Sequence, residues 1–345
     1  MSKVAVVLFN LGGPDGPDAV EPFLFNLFND RAIIGLPQPF RWLLARFISR
    51  RRAPTAREIY GHIGDRSPLL ELTRAQSDAL SESLNATGGD EMVRVFIAMR
   101  YWHPMSDETA LAVADFAPDQ IVLLPLYAQF STTTTGSSVA DWHRAAAAAG
   151  LSVPTRAVCC YPTDQSFIDA HAASIREALS GAGEPRPRVL FSAHGLPKKV
   201  IAAGDPYAWQ VEQTAAAVVE RLGIADLEWL VCYQSRVGPL EWIGPATEDE
   251  LRRAGGDGVP VVVVPIAFVS EHSETLVELD IEYRELAEDC GVPAYTRVPA
   301  LGVADGYITG LADAVRDSLT REPGTCSAAG RRLCPGGFSR CPIAA

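Results

Sequence analysis

The segment from Val259 to Tyr283, VPVVVVPIAFVSEHSETLVELDIEY, does most to limit the folds open to this chain. Its first half is uncharged, β-branched and short, bounded by Gly258 and Pro260. That composition predicts a strand buried on both faces, the kind that lies inside a parallel sheet. Beyond Phe268 the pattern turns acidic, with Glu271, Glu274, Glu278 and Glu282 at helical spacing. Steps of three and four residues predict one stripe of an α-helix. Leu276, Leu279, Tyr283 and Ala287 fall on the opposite stripe and are expected to pack on the sheet. A buried strand thus ends close to His272 and Glu274, and in open α/β sheets ligands bind at the carboxyl ends of strands.

The acid stripe admits two readings. From Glu271 to Asp289 there are eight acidic residues and one basic residue, Arg284. An ordinary solvated helix face mixes signs, whereas like charges four apart cost roughly 0.2–0.5 kcal/mol per pair. The stripe is either plain solvated surface or a face that holds or passes a cation.

At 345 residues and 48% hydrophobic content the chain can build two full cores. Strands are expected at Lys3 to Asn10, Val93 to Tyr101, Gln120 to Leu126 and Pro154 to Cys160, and again at Arg188 to His194, Glu228 to Gln234, from Val259, and at Ala294 to Val298. Helical segments separate them, and a last helix runs from Asp305 to Leu319. Two successive sets of strands with helices between predict an α/β protein of two βαβ-type domains. The expected division is residues 1–165, residues 166–305, and a terminal helix with a cysteine-containing tail at 306–345.

Other features narrow the function. A net charge of −12 disfavours a nucleic-acid partner. MSKVAVVLFN enters a strand with no signal pattern, and no apolar run approaches the ~20 residues of a membrane helix. A cytoplasmic protein is expected. Seven scattered cysteines argue against a disulfide framework. Gly12-Gly13-Pro14 does not make a dinucleotide fingerprint, since Pro14 removes an amide a phosphate would use. From Ile33 to Arg52, Phe40, Trp42, Leu43, Leu44, Phe47 and Ile48 are ringed by Arg41, Arg46, Arg50, Arg51 and Arg52. This is either a core helix with a basic end or an exposed apolar lip with a cationic rim, suited to a membrane surface or a flat apolar anion.

The chemistry centres on His194, at the end of one strand, and Glu274, just past another. A lone strand-end histidine is commonly structural; the pairing with a carboxylate points to chemistry. Imidazole and carboxylate suit a borderline divalent ion such as Fe²⁺ or Zn²⁺, and equally a base with its proton acceptor. No Walker loop, H-E-x-x-H or nucleophile elbow is present.

Five motifs, NLGGP, RYWHP, SAHGLP, CYQSRVGP with EWIGP, and above all IAFVSEHSETLVELDIEY, resemble the ferrochelatase family from about Val4 to Leu319. The resemblance implies two Rossmann-like domains, each on a four-stranded parallel sheet. It also implies insertion of Fe²⁺, a substrate, into protoporphyrin IX to give protohaem. It makes His194 and Glu274 the metal-binding and proton-abstracting pair, and Glu271, Glu278 and Glu282 an acidic path leading away. Ile34, Arg100, Tyr101, Tyr207, Trp242 and Phe268 would line the porphyrin site, with peripheral membrane contact as a further expectation. A coproporphyrin-using relative, and a tetrapyrrole carrier without chemistry, remain as alternatives.

The tail PGTCSAAGRRLCPGGFSRCPIAA is similar to that of family members carrying a [2Fe–2S] cluster. Cys160 (or its neighbour Cys159), Cys326, Cys334 and Cys341 would be the ligands. The family's bacterial tails carry a further cysteine where this chain has Ile343, so either Cys326 replaces it or the cluster has lost a ligand. Gly64-Asp65-Arg66-Ser67 likewise departs from the family's glycine run.

Overall fold

The computed structural model describes residues 2–86, 91–181 and 185–344. The chain divides into two compact units: Met1–Cys160 with Leu311–Arg332, and Tyr161–Gly310 with Leu333–Ala345.

The first unit contains β1 (Ser2–Asn10), α1 (Val20–Phe28), α2 (Phe40–Gly61), α3 (Leu69–Asn85), β2 (Glu91–Met99), α4 (Ser106–Phe116), β3 (Gln120–Pro125), α5 (Thr135–Ala148) and β4 (Thr155–Val158). Its strands are parallel in the order β2-β1-β3-β4, and β1 is central and almost wholly buried from Val4 to Asn10. One core cluster sets Val7, Phe9 and Leu123 against Ala110 and Val113 of α4 and Trp142 and Ala145 of α5. Another gathers Val20, Phe23 and Leu24 of α1 with Ala53 and Tyr60 of α2 and Tyr101.

One expectation changes here and one open reading is decided. The sheet has five strands among the described residues, not four, because tail residues Gly324–Cys326 pair in parallel with β4. A short tail segment thereby covers the backbone edge that β4 would otherwise leave open. The second concerns α2. Its buried residues are Ala45, Ser49, Ala53 and Tyr60, while Phe40, Leu43 and Phe47 are 64%, 57% and 61% exposed. Small side chains let the helix lie close to α1, and the large apolar ones turn outward. Of the two readings of this segment, the exposed apolar lip is the one found.

The second unit contains α6 (Gln165–Ser180), β5 (Arg188–His194), α7 (Lys198–Ala202), α8 (Tyr207–Leu222), β6 (Trp229–Gln234), α9 (Thr247–Asp257), β7 (Val261–Pro265), a π-helix (Glu274–Glu282), α10 (Tyr283–Asp289) and β8 (Tyr295–Arg297). Its four strands are parallel in the order β6-β5-β7-β8. The valines of β7 are buried, as their composition requires, and each stabilises the fold by roughly 1.5–3 kcal/mol relative to an exposed side chain. The last helix, α11 (Asp305–Leu319), is divided between the units.

The acidic segment is the main departure from the pattern-based expectation. It winds as a π-helix rather than an α-helix, and its closing bond runs from the Tyr283 amide to the Glu278 carbonyl. Glu271 precedes the helix, and Leu276 is only half-buried while Thr275 and Val277 are buried. Leu279, Tyr283 and Ala287 do pack against Val261 and Val263. The i→i+5 pattern widens the turn and rotates intermediate positions inward, and such segments are frequent at functional sites.

Candidate active site

In the second unit β5 and β6 run in register so that His194 and Gln234 are partners at their carboxyl ends. The loop after β7 then brings the π-helix over the same end. His194 Nδ1 lies 2.8 Å from Glu274 Oε2. Both side chains are part-exposed, 39% and 28%, so the pair can be reached from outside. Burial opposes a charged His194, but the charge and hydrogen bond of Glu274, with Glu278 behind it, hold the imidazole pKa above its ordinary value. Burial also opposes ionised Glu274, yet His194 holds its carboxyl well below the usual range. Each partner favours the other's charged form, which makes the neutral imidazole a stronger base.

A polar scaffold fixes these two groups. The Ser192 hydroxyl donates to Gln234 Oε1 at 2.8 Å, which turns the Gln234 amide nitrogen toward the π-helix. That nitrogen donates to the Glu274 carbonyl at 2.9 Å and to Glu278 Oε2 at 3.0 Å. Glu278 also accepts from the Ser235 amide at 2.7 Å, the Ser235 hydroxyl at 2.5 Å and the Tyr283 hydroxyl at 3.0 Å. Ser235 holds φ of 60°, the left-handed region, and so presents its N–H and O–H to one carboxylate. Burial first, then the charge of Glu274, raises the Glu278 pKa against these donors. The Tyr207 hydroxyl donates to the His194 carbonyl at 3.1 Å and is buried.

His272 sits beside the pair. Its Nδ1 accepts the Glu274 amide at 3.0 Å, so a neutral ring carries its proton on Nε2, and burial lowers its pKa. Phe268 meets the His272 ring edge-on at 4.6 Å. Trp242 is half-buried and crosses Gly195, where a Cβ would come within 3.4 Å of the indole and 3.0 Å of the Gln234 carbonyl. Glu271 accepts Arg297 at 2.6 Å and the Ala300 amide at 2.9 Å. Glu282 is exposed. Hence His194, Glu274 and Glu278 form one hydrogen-bonded group, while Glu271 is tied to β8 and Glu282 faces solvent. Ser192, Gln234, Ser235 and Tyr283 are the members the sequence reading did not assign to the site. The polar end of a buried strand, Gln234-Ser235, was their available signal.

In the first unit Arg100 and Tyr101 follow the end of β2. Tyr101 is 1% exposed and its hydroxyl donates to Asp30 at 2.8 Å. Arg100 donates to the same oxygen at 2.9 Å and lies over the Tyr101 ring. Ile34 is half-buried on the loop before α2.

The cysteines are spread over both units. Cys159 and Cys160 are buried with their sulfurs 3.5 Å apart, and the Cys159 amide donates to the Cys326 carbonyl. Cys334 is buried and accepts from Gln210, and Cys341 is part-exposed. Among the described residues no three metal-ligating side chains gather into a site.

The fold is that of the chelatases. The structure of SirB from Bacillus subtilis with Fe³⁺ superposes with a TM-score of 0.54 at 12% identity, covering 92% of this chain and 96% of that one. A cobalt complex of the sirohydrochlorin chelatase SirB gives 0.52, covering 92% and 95%. The sequence takes the assignment further: the ferrochelatase family model matches residues 3–319. The ferrochelatase of Caulobacter vibrioides is 58% identical over 99% of this chain and 97% of its own length. Those of Phenylobacterium zucineum and Hyphomonas neptunium are 57% and 52% identical, covering 98% and 99% of this chain and 97% and 95% of theirs. The chain belongs to the ferrochelatase family, whose members insert Fe²⁺ into protoporphyrin to give haem.

Proposed function

We propose that His194 and Glu274 carry out that insertion here, His194 as the base at the ring centre and Glu274 as the carboxylate that holds it and takes up its charge. The observation that carries this is the 2.8 Å contact between them. The balance of the reaction demands such a group: Fe²⁺ enters, two N–H bonds break and two protons leave, so the macrocycle becomes a dianionic ligand and the metallated porphyrin keeps the net charge of the free base. A neutral imidazole accepts one proton from a pyrrole nitrogen, the adjacent carboxylate stabilises the imidazolium, and once that proton has passed on toward Glu278 the imidazole accepts the second. Glu278, fixed by four donors, passes protons outward toward solvent, where Glu282 stands. Carboxylate oxygens also suit transient binding of a hydrated divalent ion. Glu271, bound to Arg297, steadies the start of the helix.

A porphyrin is a flat apolar ring with acidic edges, so it calls for aromatic and aliphatic walls with a few cations. Trp242, Phe268 and Tyr207 supply such groups in the second unit, and Ile34 and Arg100 in the first, where Tyr101 is enclosed in the core and braces Arg100 through Asp30. The exposed Phe40, Leu43 and Phe47 with neighbouring arginines suit peripheral contact with an anionic membrane. None of the described helices is long and apolar enough to cross one. A [2Fe–2S] cluster would take four thiolates, with Cys160, Cys326, Cys334 and Cys341 as its proposed ligands, and no step of the insertion is routed through it.

The test is anaerobic conversion of protoporphyrin IX to haem on adding Fe²⁺, followed by absorbance, with coproporphyrin in parallel. Faster turnover of protoporphyrin is expected. Binding without metallation would favour a carrier, and preference for coproporphyrin would reassign the substrate.

A further inference from the structure

Asp30 lies just past α1 and is 8% exposed. One of its oxygens, Oδ2, accepts Arg100 Nη2 at 2.9 Å, the Tyr101 hydroxyl at 2.8 Å and the Ser137 hydroxyl. Its other oxygen accepts the Ala32 amide at 2.8 Å. Its backbone carbonyl takes the amides of Ile33 at 3.2 Å and Ile34 at 2.9 Å. Ser137, from the hydroxyl-rich run after β3, also accepts Arg100 Nε at 2.7 Å. The remaining nitrogen of Arg100 is 3.7 Å from Asp141.

A single aspartate therefore joins three segments far apart in sequence: the loop that carries Ile34, the end of β2, and the start of α5. It also determines what Arg100 can do. A guanidinium held by Ser137, Asp30 and Asp141 is oriented by the protein, so its position depends on those partners rather than on an arriving anion. We infer that Asp30 is a positioning residue for porphyrin binding, fixing Ile34 and Arg100 relative to each other. This rests on the reading that those two residues contact the porphyrin. Exchange for the isosteric amide would turn an NH₂ toward Arg100 or toward the Ala32 amide, setting donor against donor. Because Asp30 acts on the binding wall and not on the His194–Glu274 pair, its loss weakens binding that is equal in ground and transition states.

The experiment measures protoporphyrin affinity by fluorescence titration, KM and kcat for iron insertion, and melting temperature, using the full chain with Asp30→Asn and Ser137→Ala. For Asp30→Asn the dissociation constant and KM for porphyrin rise about tenfold while kcat stays within threefold. Ser137→Ala shifts the same quantities about threefold and decides the matter if Asp30→Asn does not fold. Unchanged porphyrin affinity and KM, with only the melting temperature or kcat lowered, would overturn the role of Asp30. A wild-type chain that neither binds porphyrin nor inserts iron would overturn the underlying functional reading instead.

Discussion

Glu274 Oε2 meets His194 Nδ1 at 2.8 Å, although the two residues come from different strand–loop segments 80 positions apart. Neither group needs the other for packing, since both side chains are part-exposed. Their meeting joins a π-helix to the centre of a parallel sheet. His194→Ala removes the base and Glu274→Gln removes the charge that supports it. Either substitution should lower kcat for iron insertion by about 10²–10⁴-fold, the usual scale for a general base. Porphyrin affinity should change little. Stopped-flow absorbance with Fe²⁺ measures the first and fluorescence titration the second, and insertion at the wild-type rate in either variant would refute the assignment.

The pair also sets a pH dependence. With His194 as the proposed base, neutral imidazole is the reactive form, and Glu274 raises the His194 pKa above 6.5. Insertion should therefore accelerate as pH rises through a pKa on the alkaline side of 6.5. In Glu274→Gln the larger raising charge is gone, and burial, which lowers a histidine pKa, is opposed by Glu278 alone. NMR titration of the His194 ring should then show its pKa moving downward relative to wild type. An unmoved pKa would mean that Glu274 does not control the base.

His171 offers a separate pH effect, on stability. It is 1% exposed on α6, neither ring nitrogen has a hydrogen-bond partner among the described residues, and burial lowers its pKa to about 3. The unfolded chain binds this proton near pH 6.5 whereas the folded chain does not until about pH 3. Between those values the unfolded state carries the extra proton, so stability falls as pH is lowered, by at most about 1.4 kcal/mol per pH unit from this group. Urea unfolding from pH 7 to pH 5 should show a shallower loss in His171→Leu than in wild type. Parallel slopes would contradict it.

Much of this was legible in the sequence because burial and chain reversal leave local patterns. The Val261–Val264 run had to be a strand buried on both faces, and His194 and Gln234 stood where buried runs end. Long-range pairing of backbone edges leaves no such pattern: nothing about Gly324-Thr325-Cys326 states that it completes a sheet begun at Ser2. The π-winding was hidden for a different reason. Glu274, Glu278 and Glu282 have α-helical spacing, and the wider turn is fixed by which residues tertiary packing draws inward, Val277 and Thr275 in place of Leu276. Outward display of Phe40 and Phe47 was one of two readings. Apolar periodicity reports that a face exists, and only the small residues opposite it, Ala45, Ser49 and Ala53, tell which face the protein keeps.

The acidic helix yields the last prediction. Glu278 and Glu282 look equivalent as letters four apart, but the fold treats them oppositely. Glu278 accepts from Gln234, from both donors of Ser235 and from Tyr283, and Glu274 adjoins it electrostatically. Glu282 faces water, which can replace whatever proton or ion exchange its carboxylate provides. Glu278→Gln would place an NH₂ group among four donors and interrupt transfer from Glu274, so kcat should drop at least tenfold. Glu282→Gln should stay within twofold of wild type, with porphyrin affinity unaltered. Single-turnover insertion at saturating porphyrin makes the comparison. Equal slowing of both variants would show that the route depends on its solvent-facing end, and that the buried hydrogen-bond group around Glu278 is not the step that controls exit.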